Sequence, residues 1–418
     1  MFNCEFVKKR SLLLQKNKQT KKLVVKSVIT VCLLLLIFCC GYTSSVDEKI
    51  TEEELTQDIT TQIENQLGNI DFGELEEIIK SLSDEQKDLF GNESFLNKVK
   101  LIISGEFKGL GENAVQAISA IVFEDLIKLL PIMASILAIG ILSGMLGQIS
   151  SNNNNSKSLG DIIHFACFGL VLVIVTGLVL NLLNTTSSIL NSLKSQIDVV
   201  FPILLTLLTA IGGNVSVSVY QPTIALLSGS VMHVFNTVLV PIFIFTFVFS
   251  IITNLSKSVK LSKFTSFFTS LFKYIIGTIF TVFLAFISIQ GITAGSIDGI
   301  SVKTAKFAMK SYIPILGGYL ADGFNVIVAS SVLIKNAIGA CGLLLIFITI
   351  LSPIISIILL SLLLKLTASI LEPLTDGRIS TFLFSVSKTL TMLMVILIGF
   401  SFMFLLICAL IMCSANFI

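Results

Sequence analysis

The stretch from Tyr312 to Lys335 reads Y-I-P-I-L-G-G-Y-L-A-D-G-F-N-V-I-V-A-S-S-V-L-I-K, and the interpretation of the whole chain starts from it. Its side chains are too apolar for an aqueous loop, yet one proline, Pro314, and three glycines interrupt it. Lipid offers no hydrogen-bond partner to irregular backbone, which is therefore tolerated at membrane depth only inside protein or beside water. The stretch predicts a broken membrane element next to a hydrated passage.

The composition places the chain among membrane proteins. Hydrophobic residues make up 54% and charged residues 13%, with a mean hydropathy of +0.94, whereas charged residues make up about 25% of soluble domains. We expect an all-α polytopic membrane protein with six transmembrane helices, two broken or re-entrant segments and a small external helical domain. The expected helices are 127–148, 162–183, 224–252, 275–291, 337–364 and 389–412, and the broken segments are 199–219 and 312–334.

The first 41 residues have the features of a signal peptide. Eight Lys/Arg and no acid lie between Lys8 and Lys26, and the apolar run from Val28 to Cys40 is short for a span of about 20 residues. Small residues at Cys39 and Gly41 suit cleavage after Gly41. A retained anchor is the alternative, because the basic leader is long. Either way, the positive-inside tendency places the following segment outside the cytoplasm.

Residues 42–125 predict an extracytoplasmic acidic helical domain. Between Gly41 and Asn113 the chain holds 17 Asp/Glu against six Lys. A Ser or Thr followed three residues later by Gln or Glu forms a capping box, and apolar residues at helical spacing form two stripes. The acidic excess is either a solvated face or a surface for a basic partner, and the thin core predicts docking on a partner or on the membrane part. The boxes are Thr51 with Glu54 and Ser83 with Gln86; the stripes are Leu55, Ile59, Ile63 and Leu67, then Phe72, Leu75, Ile79 and Leu82.

Residues 126–418 predict a polytopic membrane domain. If neither broken segment crosses the bilayer, 150–161, the basic loop 253–274 and 365–388 lie in the cytoplasm and the C-terminus lies outside. Three lysines oppose this topology because they fall on the external side. If the broken segments cross the bilayer, or if this region is an interfacial helix, the membrane orientation of the C-terminal half inverts. They are Lys303, Lys306 and Lys310.

Two proline pairs suggest an internal repeat. Pro202 and Pro241 have the same separation as Pro314 and Pro353, and the offset between the pairs, about 112 residues, also relates the spans near 162, 274 and 386. Paired broken segments in corresponding positions mark binding sites in many transporters. A coincidence of spacing is the alternative, since few residues are identical at this offset.

Ionisable groups within apolar segments are the candidate functional residues. Such groups are costly in a membrane and face a bundle interior or a cavity, so Asp198, His233, Asp322 and Lys335 are candidate cavity-lining residues. Asp322 and Lys335 lie in one broken element, and a pair between them or interfacial snorkelling is the alternative. His233 is otherwise a packing residue. No nucleotide, zinc or nucleophile motif is found, so we expect no enzymatic activity, no cofactor and no metal site.

The basic loop supplies a candidate contact for a cytoplasmic partner. Its four lysines occur with no acid between Thr253 and Tyr274. They are Lys257, Lys260, Lys263 and Lys273.

Three sequence blocks resemble a known family. They are F-T-V-F-L-A-F-I-S-I-Q-G (280–291), T-A-K-F-A-M-K-S-Y-I-P-I-L-G-G (304–318) and S-S-V-L-I-K-N-A-I-G (330–339). With the signal sequence, the external helices and the polytopic part, the chain closely resembles the stage III sporulation protein AE family of endospore-forming bacteria. The long lysine-rich leader departs from that family's pattern.

The resemblance implies a role in spore formation. It implies the mother-cell membrane, the outer of the two around the forespore, and a subunit of a secretion-like channel complex that supports late forespore gene expression. The implied partners are other stage III sporulation A-operon proteins, including a motor ATPase and ring-forming subunits, and a forespore partner across the intermembrane space. The alternatives are a stand-alone small-solute permease and a purely structural scaffold.

Overall fold

The computed structural model describes residues 52–414 apart from 92, 107–113, 152–156, 256–260, 313–315 and 376. The chain divides into two units, Met1–Glu54 and Leu55–Ile418. The described residues are helical apart from their turns and contain no strand, which confirms the all-α prediction. The signal peptide or anchor predicted over residues 1–41 lies outside the described residues.

Four short helices precede the long ones. Of the two predicted capping boxes, that of Ser83 is present, because its hydroxyl accepts from the Gln86 backbone N–H and the Gln86 side chain accepts from the Ser83 N–H. Thr51 of the other box lies outside the described residues. Leu75 and the rest of its predicted stripe are buried. The second stripe is confirmed as the packing face of α2 and its flanking turns. The helices are α1 Glu52–Gly68, α2 Gly73–Lys80, α3 Asp84–Phe90 and α4 Phe95–Ile103.

Six long helices follow, each with a segment long and apolar enough to cross a membrane. Their number confirms the prediction of six membrane helices, although most are longer than expected. They are α5 Ala114–Ser151, α6 Lys157–Ala210, α7 Asn214–Leu255, α8 Ser262–Tyr312, α9 Gly317–Leu371 and α10 Arg378–Cys413.

Helix α7 is not α-helical throughout. Two π-helical stretches, Leu226–Val231 and Phe235–Leu239, interrupt it on either side of Met232–Val234. The remaining parts, Asn214–Ala225 and Val240–Leu255, are α-helical. π-Bulges occur frequently at functional sites, so this region is considered among the candidate sites.

Successive long helices run antiparallel, so their connections collect at two ends of the bundle. The loop end is where α5, α7 and α9 end and α6, α8 and α10 begin, and the apex end is where α6 and α8 end and α7 and α9 begin. At the loop end, the Ser143 hydroxyl lies 2.9 Å from Nδ1 of His164, and the Ser250 hydroxyl donates to Ser385 over 2.9 Å. A Cβ on Gly144 would meet a backbone oxygen of the turn between α9 and α10 at 1.9 Å. The three loops predicted to be cytoplasmic therefore begin and end at the same end of the bundle.

The first broken segment, 199–219, is the apex of the α6–α7 hairpin. Helix α6 continues through Pro202 to Ala210, and Gly212 adopts a left-handed φ of 93° in the turn that precedes α7. In the sequence Gly212, Gly213 and Asn214 form a turn signal, and the structure has the turn at this point.

The second broken segment is broken over a shorter range than expected. Helix α8 continues to Tyr312 and α9 begins at Gly317, and Gly318 and Gly323 lie within the continuous helix α9. Glycine costs a helix only about 1 kcal/mol, and packing along the 55 residues of α9 outweighs this. The prediction that these glycines interrupt the backbone was wrong.

The short helices dock on the long ones. Pro353 has no N–H, so the carbonyl of Thr349 loses its helical donor. Gln86 of α3 replaces it, because its Nε2 donates to the carbonyls of Ile348 and Thr349 over 3.4 Å each. In α1, Gln66 donates to Ser330 of α9 over 3.2 Å. Of the two docking alternatives, the structure shows packing on the long helices.

This docking limits the position of the bilayer. The short helices and their turns, residues 52–103, carry 13 of the 26 acidic residues, so the level of α9 that they cover, near Thr349, is hydrated. A hydrocarbon core is about 30 Å thick. The full 55 residues of α9 rise about 80 Å. We infer that the bilayer surrounds the half of the bundle nearest the loop end, and that the other half stands in water.

The exposed face of α6 changes character about 20 Å closer to the loop end than Thr349, because Gln196, 15 residues beyond Asn181, donates to the Thr349 hydroxyl. Exposed large apolar side chains run from Ile162 to Leu180. From Asn181 to Asp198 the exposed positions are polar. The exposed positions of this polar stripe are Asn181, Asn184, Thr185, Ser188, Asn191, Lys194, Ser195 and Asp198.

Candidate functional site

A buried polar cluster, named the apex cluster, joins four helices near the apex end. It consists of Ser216 and Tyr220 of α7, Asp298 of α8, Lys335 of α9 and Ser414 after α10. These residues lie far apart in sequence, and the two hairpin turns and the end of α10 bring them together.

Asp298 caps the first turn of α7 from a neighbouring helix. Its side chain is 1% exposed, and its carboxylate accepts from the backbone N–H groups of Val215 over 3.0 Å and Ser216 over 2.8 Å. The first N–H groups of a helix have no partner within the helix, and a carboxylate there also complements the helix dipole. Asp298 therefore fixes the start of α7 against α8.

Lys335 and Tyr220 meet at Ser414. Lys335 is fully buried, and its Nζ donates to the carbonyl oxygen of Ser414. The Tyr220 hydroxyl lies 2.7 Å from the Ser414 hydroxyl. Buried polar groups of this kind need partners to offset desolvation. The arrangement holds the end of α10 between α7 and α9.

Lys335 does not pair with Asp322. Both lie on the continuous helix α9, and thirteen residues of helix rise about 20 Å. Asp322 is exposed, whereas Lys335 is buried. The predicted pairing across a broken element was wrong, because that element is helical. A cavity-lining role for these two residues remains a prediction.

Asp198 lies at the end of the polar stripe of α6. Its carboxylate accepts from the Ser228 hydroxyl of α7 and lies 3.8 Å from the Lys194 ammonium one turn earlier. Both charged side chains are nearly half exposed, so the ion pair adds little stability. This face is a surface of the chain.

His233 lies on the exposed side of α7, between the two π-helical stretches. Its Nδ1 is 3.5 Å from the Thr237 hydroxyl. Among the predicted cavity-lining residues, His233 and Asp198 share the α6–α7 surface, since Ser228 lies five residues before His233. Lys335 lies apart from them, in the apex cluster.

The predicted cytoplasmic contact is described in part. Lys257 and Lys260 lie outside the described residues. Lys263 and Lys273 are exposed on the first part of α8, nearest the loop end. Within the described ranges, no group of three or more His, Cys, Asp or Glu side chains could hold a metal ion.

Aromatic rings occupy the bundle interior where the sequence predicts a hydrated passage. The Phe201 and Phe404 rings lie 4.9 Å apart, and those of Phe235 and Phe400 lie 5.6 Å apart. All four side chains are fully buried. At this level the described helices pack ring against ring.

The docked helices carry one buried cation outside the membrane-spanning segments. Lys98 of α4 is 8% exposed, and its Nζ lies 4.5 Å from the Phe90 ring centroid. Desolvation lowers the pKa of Lys98 below its usual value, and the charge of Glu93 opposes that decrease.

Sequence reasoning missed Asp298, Tyr220 and the role of Gln86 in α9 packing. Asp298 follows a glycine-rich run and resembles a loop residue in the sequence. A signal existed for Gln86, since Pro353 predicts an unpaired carbonyl four residues earlier. The carbonyl that Gln86 bonds, that of Thr349, lies 263 positions away in sequence.

The fold and these sites define a class, the multi-pass helical membrane proteins. Residues 94–415 match the family model of stage III sporulation protein AE. Stage III sporulation protein AE of Bacillus subtilis (strain 168) is 27% identical over 234 residues, which cover 56% of this chain and 59% of that protein. No solved structure matches. The chain belongs to the stage III sporulation protein AE family.

Proposed function

We propose that this chain is the membrane subunit of a secretion-like channel complex that links mother cell and forespore and is needed for late forespore gene expression. Its site is the mother-cell membrane around the forespore. The family match over residues 94–415 carries this proposal, because it covers the short helix α4 and all six long helices. In this proposal the chain is a non-enzymatic subunit without a cofactor.

The long helices support a role in an assembly. Four of them, α6 to α9, are more than twice as long as a hydrocarbon core of about 30 Å requires, so the α6–α7 and α8–α9 hairpins extend far beyond the membrane. If the acidic helices are extracytoplasmic, this part occupies the intermembrane space. It offers ring-forming subunits and a forespore partner a large surface, including the polar stripe of α6.

The filled interior supports a passage between chains rather than within one. The pair Phe201 and Phe404 closes the centre of one chain, and core packing of this kind leaves few voids larger than water. A channel would then form between copies of the chain or between the chain and other stage III sporulation A-operon proteins.

The loop end is the proposed contact for the motor ATPase. The test replaces Lys257, Lys260, Lys263 and Lys273 with Ser in a sporulating host that lacks its own copy. We expect loss of spores and of a late forespore reporter at unchanged protein level. The matched control replaces four lysines elsewhere, and equal effects of the two sets would count against the loop contact. The control residues are Lys80, Lys87, Lys100 and Lys128.

A stand-alone permease is the second candidate, and the buried ionisable groups of the apex cluster favour it. Purified full-length protein in liposomes would then move a metabolite without partners, and Lys335→Gln would abolish that movement. If Lys335→Gln and Asp322→Asn leave sporulation intact in a stable protein, these two side chains have a scaffold role only.

A further inference from the structure

An exposed apolar and basic patch lies at the apex of the α8–α9 hairpin. Four large side chains form its tip, with exposed fractions of 82% for Tyr312, 60% for Leu316, 78% for Tyr319 and 49% for Leu320. Three lysines and Phe307 lie below the tip on α8, within about 14 Å along the helix axis. The lysines, named the collar, are Lys303, Lys306 and Lys310.

Close packing of the two helices holds the tip together. A Cβ on Gly317 would lie 2.3 Å from the carbonyl oxygen of Met309, so the backbones of α8 and α9 touch at this point. The contact fixes Tyr312 at the end of α8 beside Leu316 and Tyr319 at the start of α9. The apolar side chains therefore project as one group.

The tip is far from the bilayer that the long helices cross. The carbonyl of Thr349 is bonded to Gln86 of the acidic short helices, at a hydrated level. From Thr349 to Gly317, α9 rises a further 48 Å or so, about 1.5 Å per residue. Exposed apolar side chains at this distance cannot be covered by the same bilayer. An exposed apolar patch of this kind marks a contact with another membrane or with a protein.

The chemistry of the patch fits an anionic bilayer surface. Tyrosine is enriched at membrane interfaces, and lysine below an apolar tip can extend its ammonium toward lipid phosphates. Against the three collar lysines, Asp322 is the acid that α9 contributes near the tip. Basic residues with aromatic and aliphatic side chains are the composition that binds such surfaces.

We propose that the apex of the α8–α9 hairpin binds the surface of a second, anionic bilayer, opposite the one that the long helices cross. The tip enters the headgroup region and the collar contacts phosphates. This proposal needs no role in sporulation.

The test uses the full chain in phosphatidylcholine nanodiscs. These are mixed with vesicles of phosphatidylcholine and phosphatidylglycerol, or of phosphatidylcholine alone, and bound nanodiscs are separated by flotation. We expect binding to the anionic vesicles only, and weaker binding at high salt. Replacing the collar lysines with Ser should weaken binding on the order of 100-fold, from about fivefold per charge. Tyr319→Ser with Leu320→Ser should also weaken binding.

The control replaces three exposed lysines elsewhere with Ser and should retain binding. Because all the altered side chains are partly or largely exposed, circular dichroism and size-exclusion profiles should match the parent. Equal binding of the collar and control variants, or no binding by the parent, overturns the proposal. So does a result in which Tyr312→Cys crosslinks to protein while no vesicles float with the nanodiscs. The control residues are Lys80, Lys100 and Lys194.

Discussion

Replacing Asp298 with Ala should remove the cap that fixes α7 against α8. Two backbone N–H groups, those of Val215 and Ser216, donate to this buried carboxylate over 3.0 and 2.8 Å. Hydrogen bonds to a charged group contribute about 1.5 to 3 kcal/mol each, and both donors would be left buried. We expect Asp298→Ala to lower the free energy of unfolding by about 3 to 5 kcal/mol.

Asp298→Asn should cost about half as much, because its amide oxygen accepts from one N–H and its NH2 group cannot accept from the other. Unfolding by urea in mild detergent, followed by circular dichroism, measures both variants. Asp322→Ala, at an exposed position of α9, is the control and should change stability by less than about 0.5 kcal/mol. Equal stability of the parent and Asp298→Ala, or of the Asn and Ala variants, would refute the capping argument.

Three further predictions concern the packing of the long helices and the docked helices. Gly144→Ala should destabilise the bundle by about 1 to 3 kcal/mol, because its Cβ would lie 1.9 Å from the carbonyl of Leu374; Gly169→Ala, with no atom within 4 Å, should gain up to about 1 kcal/mol in the same urea assay. Gln86→Leu should cost about 1 kcal/mol and speed hydrogen exchange in α3, since the carbonyls that it bonds lose their donor; unchanged exchange would show that these bonds do not hold α3. Burial lowers the pKa of Lys98 in the fold, so the unfolded chain binds more protons, and the free energy of unfolding should rise with pH toward the usual lysine pKa of about 10.4. Lys98→Met should therefore stabilise the protein most at neutral pH and progressively less above it. A stability difference independent of pH would contradict this.

Much of the fold follows from local signals in the sequence. The Ser83 and Gln86 capping box, the apolar stripe through Leu75 and the Gly212 turn all depend on residues within one or two helical turns of each other. Such signals are readable without tertiary structure. The number of long helices follows from hydropathy alone.

The apex cluster could not be predicted, because its contacts are long-range. Asp298 bonds to residues 82 and 83 positions away, and Lys335 bonds to a carbonyl 79 positions away. The role of Gly317 likewise depends on a carbonyl of another helix. In the sequence these residues look like loop, broken-segment and turn residues.

The position of the bilayer is where hydropathy and structure differ most. Residues 389–412 are as apolar as any transmembrane helix, yet side chains such as Phe400 and Phe404 are fully buried by neighbouring helices. Burial in protein and burial in lipid select the same residue types, so hydropathy cannot separate them. The polar partner can: Gln86 bonds to the Thr349 carbonyl from helix α3, and Asp84 of the same helix is fully exposed to solvent. Apolar sequence on the far side of Thr349 must then be core or contact surface, and the exposed tip around Tyr319 must be a contact surface.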